Sequence, residues 1–220
     1  MLFEKLLIYE DRAPVSAAMN MAIDEALLEH CTCPALRFYG WRGPSLSFGY
    51  FGKFADIVRE TKDREFVRRW TGGGSVLHGR DLTYSLVTPA SNPASGRGPA
   101  LIYAAIHRAI RQALWADGRE TELATAAGPK ISDACFANPV RDDLIFRGRK
   151  IAGAAQRRTR RGFLHQGSIQ LSGLSNSFRD QFASALSTKV EHEEIPPQVL
   201  ERGAELAVEK YATEAWLCRW

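Results

Sequence analysis

Three consecutive glycines, Gly72–Gly74, interrupt the stretch Arg68-Arg69-Trp70-Thr71-Gly72-Gly73-Gly74-Ser75-Val76-Leu77-His78. Glycine loses more backbone entropy on folding than any other residue, so three in a row call for a compensating role. Close approach of a ligand to bare main chain supplies one, because N–H groups in such a turn can hold a carbonyl or a phosphate. A flexible hairpin turn would use the same residues. Two nucleotide-binding patterns are excluded. No Gly-Lys-Ser/Thr follows, as a P-loop requires. A strand pattern rather than a helix follows, and the spacing is wrong for a dinucleotide fingerprint. Arg69 before the loop and His78 after it weigh toward a ligand site, although a histidine taken alone is more often a structural hydrogen-bonder.

The periodicity around this loop predicts an α+β fold. Ser16–His30 reads as a helix whose face carries Met19, Ile23, Ala26 and Leu27, with Asp24, Glu25 and Glu29 pointing elsewhere. Leu36–Trp41 and Ser45–Tyr50 read as strands split by the turn Arg42-Gly43-Pro44. A short helix over Ala55–Lys62 precedes the strand Glu65–Trp70, and Val76–Leu77 and Leu82–Val87 read as further strands. Thr88–Pro99 is loop-like, and Ala100–Ala116 is a helix with Ile102, Ile106, Ala109 and Ala113 in line. A loop over Gly128–Pro139 leads to the strands Asp143–Phe146, Lys150–Arg157 and Phe163–Leu171. Helices near Asn176–Leu186 and Pro197–Tyr211 close the chain. Helices lie between groups of strands, which implies a mixed, mostly antiparallel sheet with flanking helices rather than an alternating doubly wound one.

At 220 residues the chain suits a single large domain. No apolar run is long enough for a membrane helix, and MLFEKLLIYEDR lacks the features of a signal peptide. Cys31, Cys33, Cys135 and Cys218 are therefore expected as reduced thiols in a cytoplasm. A Cys-Thr-Cys pair without a second Cys/His cluster is a poor zinc site, so no metal is expected. The net charge of +4 suits an acidic protein partner as well as nucleic acid. Its densest part, Arg147–Arg161, also suits a solvated hairpin, and no aromatic-rich motif is interleaved to favour nucleic acid.

Cys135 lies on the polar stretch Ser132-Asp133-Ala134-Cys135-Phe136-Ala137-Asn138-Pro139, unlike a buried inert cysteine. A reactive thiol needs exposure and a nearby positive charge, which favours the thiolate. Lys150 is the candidate for that charge. It begins a strand of small residues, Ala152-Gly153-Ala154-Ala155, that leaves room for a ligand. A solvated hairpin lysine beside closely packed small residues is the alternative. No Ser/His/Asp order suggests a conventional triad. His107 sits in a helical pattern as a structural residue, whereas His165, beside Gln166 and Gly167, is placed as a pocket residue.

Several of these stretches, in this order, resemble one superfamily. RRWTGGGSVLH with DLTYSLV resembles the Arg-Arg-x-Thr/Ser-Gly-Gly signature of the lipoate-protein ligases and octanoyltransferases, to which biotin ligases are more distantly related. GRKIAGAAQ resembles the lysine motif, FLHQGSIQL the strand after it, NMAIDEALL the first helix and SLSFGYFGK an early strand. The resemblance runs from about Ser16 to Leu171 and implies the biotin/lipoate ligase catalytic-domain fold. ACFANP with HGRDLTYS is most similar to the cysteine-dependent octanoyltransferases. Two departures stand out: ATP-dependent ligases also carry three glycines in the loop, and Val140-Arg141-Asp142-Asp143 replaces the expected Ser, then Tyr-Glu.

The resemblance implies catalytic roles for Cys135, which would carry the acyl group as a thioester, and for Lys150, which would contact the acyl carbonyl. Arg69, Thr71, Gly72, Gly73, Gly74, His78, Ala152, Gly153, Ala154, His165 and Gly167 are the expected substrate-binding residues. The implied partners are octanoyl-acyl carrier protein as donor and a lipoyl domain as acceptor, on the glycine cleavage H protein or a dehydrogenase E2 subunit. Neither nucleic acid nor membrane is expected as a partner. A transferase of this kind requires no cofactor. An ATP-dependent lipoate ligase, the alternative, would need ATP and magnesium, and a non-catalytic lipoyl-domain or acyl-carrier-binding module is a third reading. Stand-alone ligases usually add a small C-terminal domain. The residues after Leu171 are too few for one, which favours the transferase over a stand-alone ligase and leaves open a ligase whose missing domain comes from a partner chain.

Overall fold

A computed structural model describes residues 1–59, 63–128 and 138–220. It opens with strand β1 (Phe3–Glu10), which is absent from the expected set. The apolar run Leu6-Leu7-Ile8 hides the alternation of this strand, because β1 lies inside the sheet with both faces covered. Helix α1 (Ala17–His30) follows, capped by Ser16, whose Oγ accepts a bond from the Met19 N–H. Next come β2 (Ala35–Tyr39), β3 (Ser45–Phe48), the short α2 (Phe54–Ile57), β4 (Glu65–Arg68), β5 (Val76–His78) and β6 (Leu82–Pro89). The end of the expected helix over Ala55–Lys62 falls on residues 60–62, outside the described residues. A 3-10 turn at Pro93–Gly96 leads into α3 (Pro99–Ala116), then β7 (Glu122–Leu123), β8 (Leu144–Phe146), β9 (Arg149–Thr159) and β10 (Gly162–Ile169). The chain continues through α4 (Phe178–Leu186), β11 (Ser187–Glu193), α5 (Pro197–Leu206), a π turn at Ala207–Tyr211 and α6 (Glu214–Leu217).

The strands form an eight-stranded sheet in the order β11-β1-β2-β6-β10-β9-β8-β7 and a three-stranded sheet in the order β4-β3-β5. In the large sheet, among the described residues, only β11-β1 and β1-β2 are parallel. The mixed, mostly antiparallel α+β architecture expected from the sequence is the one observed. β11, also missing from the expected set, is a polar edge strand whose Lys189 and Glu191 discourage further pairing.

Two apolar layers cover the two faces of the large sheet. Leu6, Ile8, Leu36, Phe38, Leu86 and Phe163 face α3 and α4. Tyr9, Ala35, Tyr39, Val87 and Leu164 face α1 and α5. The three-stranded sheet contributes Val67 to this second layer. One expectation for α1 is overturned: Asp24 and Glu25 are buried. Asp24 meets the equally buried Arg37, and Glu25 accepts bonds from Lys210 Nζ and Tyr211 Oη of the π turn. A helix clasped between a sheet and a second helix layer has no solvated face left for these carboxylates, so partners replace water.

Candidate active site

The glycine loop is built around Arg69. Its Nη2 donates to the carbonyls of Gly72 and Gly74 at 3.0 and 2.8 Å, drawing the loop over its own guanidinium. Gly73 has φ +89°, which disfavours any side chain. The loop rests against Gly49, where an added Cβ would come within 2.0 Å of the Gly73 carbonyl oxygen. Thr71 Oγ1 donates to Gln166 Oε1 at 2.7 Å, tying the loop to β10.

Beside the loop, between the three-stranded sheet and the large one, lies a small, mostly apolar cavity. Met21, Tyr39 and Val76 give it apolar walls, and Gly153, Ala154, Ala155 and Gly167 form a floor with little side chain. Arg69, His78, Gln166, Ser47 and Ser168 supply its polar atoms. An apolar slot with a few convergent polar groups is the usual form of a small-ligand site. Of the expected binding residues, Arg69, His78, Gly153, Ala154 and Gly167 line it, while Thr71, Gly72, Gly73 and Gly74 form the loop that Arg69 holds.

Two expected residues lie elsewhere. His165 is fully buried on the face of β10 turned to α3, with its Nε2 3.2 Å from Tyr84 Oη and its ring near those of Tyr103 and His107. Adjacent strand residues face opposite ways, so the cavity receives Gln166 instead. Ala152 packs in the core under α3. His107, expected to be structural, is buried there, its Nδ1 2.7 Å from the Asp142 carbonyl oxygen.

Gln166 is held from behind. Its Nε2 donates to Asp24 Oδ2 at 2.7 Å, and Asp24 also accepts from Arg37 Nη1, Tyr39 Oη and Ser85 Oγ. Burial works against the Arg37 charge, but the Asp24 and Asp11 carboxylates outweigh it and keep the guanidinium protonated.

A second chain of hydrogen bonds runs along the cavity wall and contradicts the expectation that no Ser/His/Asp set exists. Arg69 Nη1 donates to Ser47 Oγ at 2.7 Å. Ser47 Oγ is 2.6 Å from His78 Nε2, and His78 Nδ1 is 2.8 Å from Asp81 Oδ2. Trp41 stacks on the His78 ring at 3.9 Å. Burial lowers the His78 pKa against the pull of Asp81. Burial would raise the Asp81 carboxyl, but bonds from His78, Ser168 and the Gly79 N–H outweigh it and hold it below the ordinary range. His78 and Asp81 are three residues apart, but Ser47 is remote from both in sequence, and the pairing of β3 with β5 brings it beside His78.

Lys150 lies near the start of β9 and is almost wholly buried, its Nζ 2.8 Å from Asp143 Oδ2 and 3.5 Å from the Asn138 carbonyl oxygen. Asp143 also accepts from Tyr103 Oη, itself in contact with the Ala154 N–H in the cavity floor. Cys135 lies outside the described residues; Asn138 follows it closely in the chain.

The family model described as Lipoyl protein ligase A/B catalytic domain matches residues 16–207. This chain belongs to that family. Among curated members of the lipoyl ligase A/B group, Octanoyltransferase LipM of Geobacillus kaustophilus is 41% identical over 171 residues, covering 70% of this chain and 61% of that protein. Octanoyltransferase LipM of Anoxybacillus flavithermus is 39% identical over 178 residues, covering 73% and 64%. The chain thus spans a little over three fifths of the length of these relatives. A T. acidophilum protein described as a lipoate protein ligase, solved with bound lipoic acid, superposes with TM-score 0.76 at 22% identity, covering 98% of this chain and 99% of that one. A lipoate-protein ligase A bound with ATP superposes with TM-score 0.72 at 21% identity, covering 98% of each. These two establish the lipoyl ligase A/B catalytic fold.

Proposed function

We propose that this protein moves an octanoyl group from acyl carrier protein to a lysine of a lipoyl domain, such as that of the glycine cleavage H protein or a dehydrogenase E2 subunit, through a thioester on Cys135. The observation that carries this reading is the apolar cavity floored by Gly153–Ala155 and bordered by Arg69, which holds the glycine loop, in a chain about two fifths identical to octanoyltransferases. Each methylene of an acyl tail buried there gains about 0.8 kcal/mol, so a saturated chain needs no charged anchor at its far end.

In this mechanism the Cys135 thiolate attacks the donor thioester carbonyl, and the donor thiol leaves. The substrate lysine amine then attacks the new thioester, forming the amide and releasing Cys135. In this reading the Lys150 ammonium, held by Asp143, favours both the thiolate and the developing oxyanion. No cofactor takes part in either step, and the reaction belongs to the cytoplasm. No helix among the described residues is long and apolar enough to cross a membrane.

Intact-mass measurement after mixing the protein with octanoyl-acyl carrier protein, without ATP, tests the reading. An octanoyl adduct that disappears in Cys135→Ser supports it. Absence of the adduct together with lipoylation that needs ATP and magnesium would replace it with the ligase reaction. Binding of donor or acceptor without turnover in either assay would leave only a carrier-binding module.

A further inference from the structure

We infer that the acyl cavity contains a second nucleophile, Ser47, activated by His78 and Asp81, and that it gives the protein an esterase and thioesterase activity toward medium-chain acyl substrates. The inference rests on the cavity accepting an acyl chain, as proposed above.

The direction of the hydrogen-bond chain decides the chemistry. A guanidinium has only donors and an ionised carboxylate only acceptors. With Arg69 Nη1 donating to Ser47 Oγ at 2.7 Å, the serine proton points along the 2.6 Å contact to His78 Nε2. His78 Nδ1 then carries the proton given to Asp81 Oδ2 at 2.8 Å. The result is a neutral imidazole with its Nε2 lone pair on the serine hydroxyl and its other nitrogen oriented by a carboxylate. This is the arrangement of a serine nucleophile with its general base, which is recognised by geometry and not by sequence order. Three further contacts hold the base and its carboxylate. Trp41 stacks on the ring, and Asp81 also accepts from Ser168 Oγ and Thr83 Oγ1. Ser47, His78 and Arg69 all border the cavity. The Arg69 charge beside Ser47 favours the negative oxygen of a tetrahedral intermediate formed there.

The proposed reaction balances in two steps. Ser47 Oγ attacks the acyl carbonyl, its proton passes to His78 Nε2, and the carbon–sulfur or carbon–oxygen bond breaks as that proton moves to the leaving thiol or alcohol. Water then attacks the seryl ester and gives a proton to His78. Ser47 Oγ leaves with that proton, releasing the free fatty acid.

The test uses the full chain as Cys135→Ala, which removes the cysteine route. It is treated with an alkyl fluorophosphonate and mapped by peptide mass, and hydrolysis of 4-nitrophenyl octanoate is followed in parallel. A single adduct on the peptide bearing Ser47 is expected, together with hydrolysis that falls about 10²-fold or more when Ser47→Ala is added. His78→Gln should slow both labelling and hydrolysis. No adduct at Ser47, or hydrolysis equal with and without the serine, overturns the inference. Should Ser47→Ala fail to fold, the labelling of the Cys135→Ala protein decides alone. Octanoate should protect Ser47 from labelling; labelling without protection would count against the acyl-binding cavity rather than against the nucleophile. Octanoyl transfer measured on the unmodified protein keeps the fate of the Cys135 mechanism separate from this one.

Discussion

Asp143 accepts from the Lys150 ammonium, from Tyr103 Oη and from the Val140 N–H, with both charged side chains removed from water. Breaking a buried ion pair by deleting one partner leaves the other charge in a poor environment. Asp143→Ala should therefore lower stability by about 3–5 kcal/mol, read as a shift in the urea midpoint. It should also lower the octanoyl-transfer rate, because Lys150 loses the carboxylate that places it. Asp24 makes a second such point. Asp24→Ala removes the acceptor of Arg37, Tyr39, Ser85 and Gln166 together. The expected loss is again about 3–5 kcal/mol. Calorimetry with octanoate should show weaker binding, since Gln166 loses the anchor that sets it in the cavity wall.

At the scale of elements, the position of the glycine loop depends on the end of β3. A methyl group at Gly49 would meet the Gly73 carbonyl oxygen at 2.0 Å, which is backbone and not a side chain that can swing away. Gly49→Ala should displace the loop, cost about 1–3 kcal/mol of overpacking and weaken acyl binding. Gly43→Ala, with nothing within 4 Å, should leave both unchanged. The seam between α3 and β10 carries His107 and His165, buried side by side. Burial pushes the His107 pKa down to about 4, against the pull of the Asp142 carbonyl and the Asp143 charge, with Lys150 pushing it further down. His165 is lowered too, by burial and by the neighbouring His107. A histidine with a depressed folded pKa binds fewer protons folded than unfolded. Its contribution is complete above pH about 6.5 and is lost as pH falls toward 4, an order of about 3 kcal/mol for His107. Urea midpoints should drop across that window, and the drop should shrink in His107→Gln.

For the whole molecule, Arg68 joins distant parts of the chain. It donates to the carbonyls of Tyr50 and Gly52 and to those of Trp216 and Leu217, while Trp216 Nε1 donates back to the Arg68 carbonyl. The last helix is thereby fastened to the three-stranded sheet that roofs the cavity. Arg68→Ala should loosen both, seen as faster hydrogen exchange in residues 45–52 and 214–217 together. The net charge of +4 adds a field rather than a contact. If the carrier partners are acidic, the KM for octanoyl-acyl carrier protein should rise with salt between about 0.05 and 0.5 M while kcat changes little.

Local pattern was enough for α1, α3, the hairpin of β9 and β10, and the glycine loop, because their apolar periods and turn residues act within a few positions. It was also enough for the family, since its motifs are local runs in a fixed order. Strand β1 was hidden because burial on both faces erases alternation, and β11 because a polar edge strand carries no apolar signal. The inward turn of Asp24 and Glu25, the turn of His165 away from the cavity, and the Ser47–His78–Asp81 chain needed the tertiary structure. Each depends on which face of a strand or helix meets a partner far away in sequence, and a buried polar group is stable only where that partner stands.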